Sequence, residues 1–166
     1  MAVSGCGSYV LVILFVISGC QSCCFSSFCG RGWQKWGNSC YRLTDQSVVG
    51  LYSDVEERCK SLGGEIAAPR SAEENKWFVE LAGNIEYLWI ACTSEDGEQW
   101  FCNGQKQKFD NWYRGVQNEQ QRCASLCVNR GEPDDCALGK WLFVTCNAPA
   151  NHFPAICVIR PSSQLK

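Results

Sequence analysis

Fourteen cysteines in 166 residues constrain this chain more than any other feature. Free thiols at that density are liabilities in a reducing compartment, so the count points to a disulfide framework made in a secretory pathway. Whatever fold forms must bring these cysteines together in pairs. The amino terminus agrees: Tyr9 to Ile17, "YVLVILFVI", is an apolar run of signal-peptide length followed by Ser18-Gly19-Cys20. It falls short of the ~20 apolar residues of a spanning helix, so residues 1–22 read as a signal peptide and the mature chain has no membrane span. No Lys or Arg precedes Arg31, which leaves a signal anchor as the lesser reading. Cleavage after Cys20 or Ser22 leaves twelve cysteines, an even number that can all pair.

A chain that is 46% hydrophobic and 12% aromatic can bury a single sizeable core. Its net charge of -2 comes from 15 basic and 17 acidic residues scattered without runs, so it carries no electrostatic footprint for nucleic acid or an anionic membrane.

Residues 23–28 read as a short linker with adjacent Cys23 and Cys24, residues 29–160 as one domain, and 161–166 as a tail. Ser53-Asp54-Val55-Glu56 and Ser71-Ala72-Glu73-Glu74 each place a serine three residues ahead of a glutamate, the reciprocal cap that opens a helix. The first helix would show Leu51, Val55, Cys59 and Leu62 on one face and stop at Gly63-Gly64; the second would show Trp77, Phe78 and Leu81 and stop at Gly83. Short strands are predicted at Leu88–Cys92, Trp100–Cys102, Cys123–Val128, Trp141–Thr145 and Ala155–Ile159, separated by segments dense in turn formers. Two helices followed by a strand-rich half is α+β order. Gly104 to Gln121 has few apolar residues and no period, which predicts a long, functional loop.

Taken together, "CGRGWQKWGNSCY" (29–41), "ERCKSLGGEIAAPRSAEEN" (57–75), "LWIAC" (88–92), "DNW" (110–112), "CASL" (123–126) and the spacing Trp141-x4-Cys146-x10-Cys157 resemble the C-type lectin-like domain in its long form, with an amino-terminal hairpin cysteine pair. The resemblance implies two helices flanking small antiparallel sheets, with the ligand site on a long loop. It also implies the pairs Cys59–Cys157, Cys123–Cys146 and Cys29–Cys40. The residues themselves add two bridges. Cys92 and Cys102 end two strands joined through Asp96-Gly97, and Cys127 and Cys136 bracket the segment "VNRGEPDD". Cys123 and Cys127 could exchange partners. Cys23 and Cys24 remain as candidates for an interchain bridge, which would give a disulfide-linked homodimer.

In sugar-binding members of that family, calcium is held by a Glu-Pro-Asn or Gln-Pro-Asp triplet in the long loop, by a later glutamate, and by an Asn-Asp pair after the tryptophan matching Trp141. Here Leu142-Phe143 stand in place of the pair and offer no side-chain oxygen, and the triplet position reads Val116-Gln117-Asn118 without proline. Gln117, Asn118 and Glu119 can hydrogen-bond a ligand, although a solvated loop accounts for them as well. Glu132-Pro133-Asp134-Asp135 lies in the segment before Trp141, where a turn with solvated acids is favoured over a displaced metal site. Leu142 and Phe143 suit either a core strand or an apolar rim, with at least one facing inward. Trp89, Trp112 and Trp141 match packing tryptophans, His152 has no partner spacing for chemistry, and the pairs Glu56-Glu57 and Glu73-Glu74 are explained by capping.

The expected function is a secreted, extracellular recognition module binding a glycan or a protein surface, with no cofactor and no calcium at the usual site. A disulfide-linked structural or matrix component is the alternative. An enzyme is not expected, because no nucleophile, base and orienting group fall together.

Overall fold

The computed structural model describes residues 29–45, 47, 49–113, 120–129 and 136–161. In chain order the elements are β1 (Gln34–Trp36), β2 (Ser39–Leu43), α1 (Tyr52–Ser61), β3 (Glu65–Ile66), α2 (Ala72–Ala82), β4 (Tyr87–Thr93), β5 (Phe101–Cys102), β6 (Gln105–Lys106), β7 (Cys123–Cys127), β8 (Trp141–Val144) and β9 (Ile156–Ile159). They form a four-stranded sheet, β1-β2-β9-β3, and a five-stranded sheet, β6-β5-β4-β7-β8. Because β9 pairs with β2, with Cys40 opposite Ile159, the two ends of the domain lie side by side. This is the expected α+β arrangement of two helices with small antiparallel sheets.

Helix α1 begins two residues ahead of the expected cap. Leu51, not Ser53, is its N-cap, and the Asp54 carboxylate accepts the Leu51 N–H at 3.2 Å. The reason is tertiary. The Gly50 carbonyl accepts the Trp89 indole N–H at 2.9 Å, and Gly50 bridges Phe153, so the chain is held extended up to Leu51. Glu56 is left to pair with Lys60 along the helix at 2.8 Å. The α1 stop falls where expected: Gly63 sits at φ 78°. A Cβ on Gly64 would lie 2.7 Å from the Val158 carbonyl oxygen, so only glycine lets this turn pack on β9.

Helix α2 starts at its expected cap, with the Ser71 hydroxyl accepting the Glu74 N–H at 3.2 Å. The reciprocal half of the box is absent. Glu74 is 2% exposed and its carboxylate instead takes the Tyr41 hydroxyl, the Arg70 N–H (2.9 Å) and the Arg70 Nε–H (3.1 Å). Capping therefore does not explain Glu74, which is the acceptor of a buried network. Burial first, and then the hydrogen bond to Glu74 and its charge, push the Tyr41 hydroxyl up to about 12.

Phe78 and Ala82 of α2 pack with Leu88, Ile90, Leu126 and Trp141 in the larger core, while Val55, Cys59, Trp89, Cys123 and Cys157 form a smaller one. Disulfides tie these cores to the surface elements. Cys59–Cys157 (Cα–Cα 5.3 Å) joins α1 to β9, Cys123–Cys146 joins β7 to the segment after β8, and Cys29–Cys40 closes the amino-terminal hairpin. Cys92–Cys102 spans β4 and β5 at opposed register positions, and Cys127–Cys136 brackets the segment after β7. Cys127 and Cys123 thus keep separate partners. Cys59–Cys157 closes a separation of 98 residues, a loop for which chain entropy alone gives about 4.7 kcal/mol. Cys23 and Cys24 lie outside the described residues. So does the expected signal segment.

Candidate functional site

The expected long loop departs from a rigid base. Its first residues are not loop: Gln105 and Lys106 form β6, paired with β5 in a hairpin turned by Asn103 at φ 48° and Gly104. Asn103 holds that hairpin against the other sheet, its Nδ2 donating to the Ile66 carbonyl at 2.7 Å and its Oδ1 accepting the Ala68 N–H at 3.0 Å. The β5–β6 hairpin is local but its strands are two residues each, too short to show a period, and the cross-sheet clamp depends on Ile66 and Ala68, far away in sequence.

Further on, residues 111–113 are laced to β8, the edge strand of the five-stranded sheet. Trp112 bridges Trp141, the Trp141 N–H donates to the Asn111 carbonyl at 3.0 Å, and the Tyr113 N–H donates to the Trp141 carbonyl at 2.8 Å. Side chains reinforce the seam. Asn111 Nδ2 and Asn75 Nδ2 both donate to the Gly139 carbonyl, at 2.7 and 2.9 Å, and the Trp141 indole N–H donates to Asn75 Oδ1 at 2.7 Å. Asn111 Oδ1 accepts the Lys140 ammonium at 2.7 Å. On the return side, Arg122 Nε donates to the Glu95 carbonyl at 3.2 Å, tying the entry to β7 to the β4–β5 turn. Asp96 builds that turn by accepting the Gln99 and Glu98 N–H groups, which hold its carboxyl below the usual range.

Phe143 is the informative residue of the site. Its ring stacks on Trp112 with centroids 4.2 Å apart and planes at 20°, and Trp100 meets both rings, at 5.3 Å from Phe143 and 4.7 Å from Trp112. Trp141 stands edge-on to Trp112 at 5.4 Å and to Phe109 at 5.6 Å. Trp141 is fully buried and Trp100 8% exposed, whereas Trp112 and Phe143 are part-buried and Tyr113 is 38% exposed. Strand alternation puts Trp141 and Phe143 on the core-facing side of β8; Leu142, part-buried, packs into neither core cluster. Of the two apolar residues, Phe143 is thus the inward one. The sequence did not single out Trp100, whose role depends on a sandwich assembled from three separate segments.

Gln117, Asn118 and Glu119 lie outside the described residues, between Tyr113 and Gln120. Glu132, Asp134 and Asp135 do too. Among the described residues the fit to calcium is poor. An ion that needs 6–8 oxygens finds none on Leu142 or Phe143, and Asn111 Oδ1 already accepts a cation. No described group of three or more His, Cys, Asp and Glu side chains converges on a point.

A family model for the lectin C-type domain matches residues 51–159. This chain belongs to the C-type lectin domain family. The matched span of this C-type lectin domain runs from the N-cap of α1 to the end of β9 and so includes the whole β8 seam. A perlucin-like protein of Mytilus galloprovincialis is 23% identical over 119 residues, covering 68% of this chain and 75% of that one. Among solved structures, the carbohydrate-recognition domain of a mouse scavenger receptor C-type lectin superposes with a TM-score of 0.64 at 21% identity, covering 81% of this chain and 98% of that one. A calcium-independent type II antifreeze protein superposes with a TM-score of 0.66 at 19% identity, covering 80% and 95%. These likenesses bear on the fold of this C-type lectin domain.

Proposed function

We propose that this chain is an extracellular, non-enzymatic recognition module that binds a glycan or protein ligand on the surface around β8 and the long loop, without calcium in the family's usual position. The observation that carries the reading is the Phe143 ring stacked at 4.2 Å on Trp112. It fills, with an aromatic face, the place where metal-binding members present an oxygen. The part-buried Trp112–Phe143 pair beside the exposed Tyr113 suits a sugar ring laid flat or a protein side chain, with Gln117, Asn118 and Glu119 as neutral and acidic hydrogen-bonding partners. Five disulfides among the described cysteines support export, and no described helix is long and apolar enough to cross a membrane. Among the fold's neighbours, the mouse domain is a carbohydrate-recognition domain and the antifreeze protein is calcium-independent.

The test is a glycan array with and without chelator, paired with thermal melts across calcium concentrations. Binding that survives chelation, with no calcium-dependent melt, is the expected result. A ligand bound only by the folded state stabilises it by about 2.7 kcal/mol at a hundred times its Kd. A calcium shift of that size, abolished by Asn118→Ala but not by Asp134→Ala, refutes the reading; the reverse pattern places a metal in the 128–135 segment.

A further inference from the structure

A second concavity, which meets the β8 aromatic cluster only at Phe109, has a different chemistry. A cleft of ≈ 340 Å³ opens between residues 65–70 and the β5–β6 hairpin with the segment that follows it, and Arg160 also lines it. Arg70, Lys106, Lys108 and Arg160 line it against a single carboxylate, Glu65. With the Glu74 carboxylate that pairs with Arg70 counted as well, four cations against two anions leave a local excess of +2 in a chain whose net charge is -2. That concentration is the reverse of what the composition as a whole leads one to expect.

The four cations are not equivalent. Arg160 is fixed in place by Glu65 and by Asn103 Oδ1 (3.0 Å), the same amide that clamps the hairpin. Arg70 is fixed by Glu74 and the Tyr41 hydroxyl at 3.1 and 3.2 Å. Both guanidinium groups are therefore pre-oriented, at no further cost in side-chain entropy when a ligand arrives. Lys106 and Lys108 are exposed and have no anionic partner among the described residues. They lie two residues apart, Lys106 in β6 and Lys108 at the bend after it, and both line the cleft. Between the charges the walls are apolar or amide: Ala68 and Pro69 are buried, Phe109 is wedged against Trp141, and Gln105 and Gln107 supply neutral hydrogen-bonding groups.

We propose that this cleft binds an anionic saccharide unit, with Lys106 and Lys108 pairing to its sulfate ester or carboxylate and the Pro69–Phe109 wall packing against the ring. The volume sits at the small end of ligand pockets and fits one or two sugar residues, not a folded partner. The amides match hydroxyls, and the free ammonium groups match an anion that must be desolvated only in part. The site is independent of the calcium-free surface proposed above and could serve the same chain at the same time.

The experiment uses the full chain and three fluorescent probes: a sulfated heparin octasaccharide, a carboxylate-only hyaluronan octasaccharide, and a neutral maltooligosaccharide. Anisotropy titrations are run at about 0.05 and about 0.5 M NaCl, where the screening length shortens from roughly 14 to 4 Å. At least one anionic probe is expected to bind, weakening with salt, while the neutral probe does not. Which anionic probe binds tells sulfate from carboxylate. Lys106→Gln with Lys108→Gln should weaken it about tenfold, Lys106→Arg with Lys108→Arg should retain it, and Lys76→Gln, at an exposed lysine of α2 that does not line the cleft, should leave it unchanged. Because Lys106 and Lys108 are exposed, the double glutamine variant should keep its melting temperature, so a loss is not a folding failure. No binding of either anionic probe, equal binding by the double glutamine variant, or an equal loss in Lys76→Gln overturns the proposal, the last by showing that the cleft is not what the probe reads.

Discussion

Phe143→Ala is the most direct test of how the site is built. The ring makes two aromatic contacts, at 4.2 Å with Trp112 and 5.3 Å with Trp100, and it is part-buried. Burying a phenylalanine completely is worth up to about 3 kcal/mol, so partial burial accounts for about 1.5. The ring pairs add about 1 kcal/mol beyond area, which gives an expected loss of about 2.5 kcal/mol. For a domain of this size that is a fall of roughly 8–10 °C in melting temperature. Leu142→Ala, next door, removes a side chain that packs into neither core cluster and should cost under about 1 kcal/mol. Guanidinium denaturation of the oxidised protein, followed by tryptophan fluorescence, reads both variants, and fluorescence should also report the loosened Trp100–Trp112 pair. If Leu142→Ala costs as much as Phe143→Ala, or Phe143→Ala costs under about 0.5 kcal/mol, the inward residue has been assigned wrongly. The aromatic platform would then not exist as described.

Three further outcomes follow from the same structure. Tyr41, raised from 10.0 to about 12, contributes stability that is complete below pH 10 and lost as pH rises towards 12, about 3 kcal/mol in all; an ultraviolet phenolate titration should show Tyr41 and Tyr52 lagging, and a single transition near pH 10 contradicts it. Burial, then the charges of Glu56 and Glu65, push Tyr52 up in the same direction. Glu74→Ala strands the Tyr41 hydroxyl and should cost about 3 kcal/mol by denaturant melt, whereas Arg70→Ala, whose side chain is 56% exposed and whose removal leaves Glu74 two donors, should cost about 1; equal costs would mean that the ion pair, not the buried hydroxyl, holds the network. Cys23 and Cys24 are adjacent in sequence, and a ring closed between neighbours is strained, so material containing both should run as a disulfide-linked dimer without reductant; a monomer band there sinks the expectation.

Features that depend on local chemistry and on cysteine spacing were legible in the linear chain. Ser71 opens α2 because a hydroxyl three residues before Glu74 satisfies an orphan N–H whatever surrounds it, and Gly63-Gly64 ends α1 because few other residues turn there. The order of helices and strands, and the α+β class, follow from periods that switch from helical to alternating along the chain. The missing oxygens at Leu142-Phe143 were also legible, since no fold can give those side chains a carboxylate. Tertiary structure decided everything that needs two distant segments at once. It started α1 at Leu51 by pinning Gly50 to Trp89, drew Glu74 away from its cap to Tyr41, and clamped the β5–β6 hairpin to the other sheet through Asn103. It turned Phe143 inward onto Trp112 and Trp100, and it gathered Arg70, Lys106, Lys108 and Arg160, spread over 90 positions of a chain without charge runs, around one cleft. Side-chain burial and charge clustering are properties of space, and a linear pattern carries them only when the partners are also neighbours along the chain.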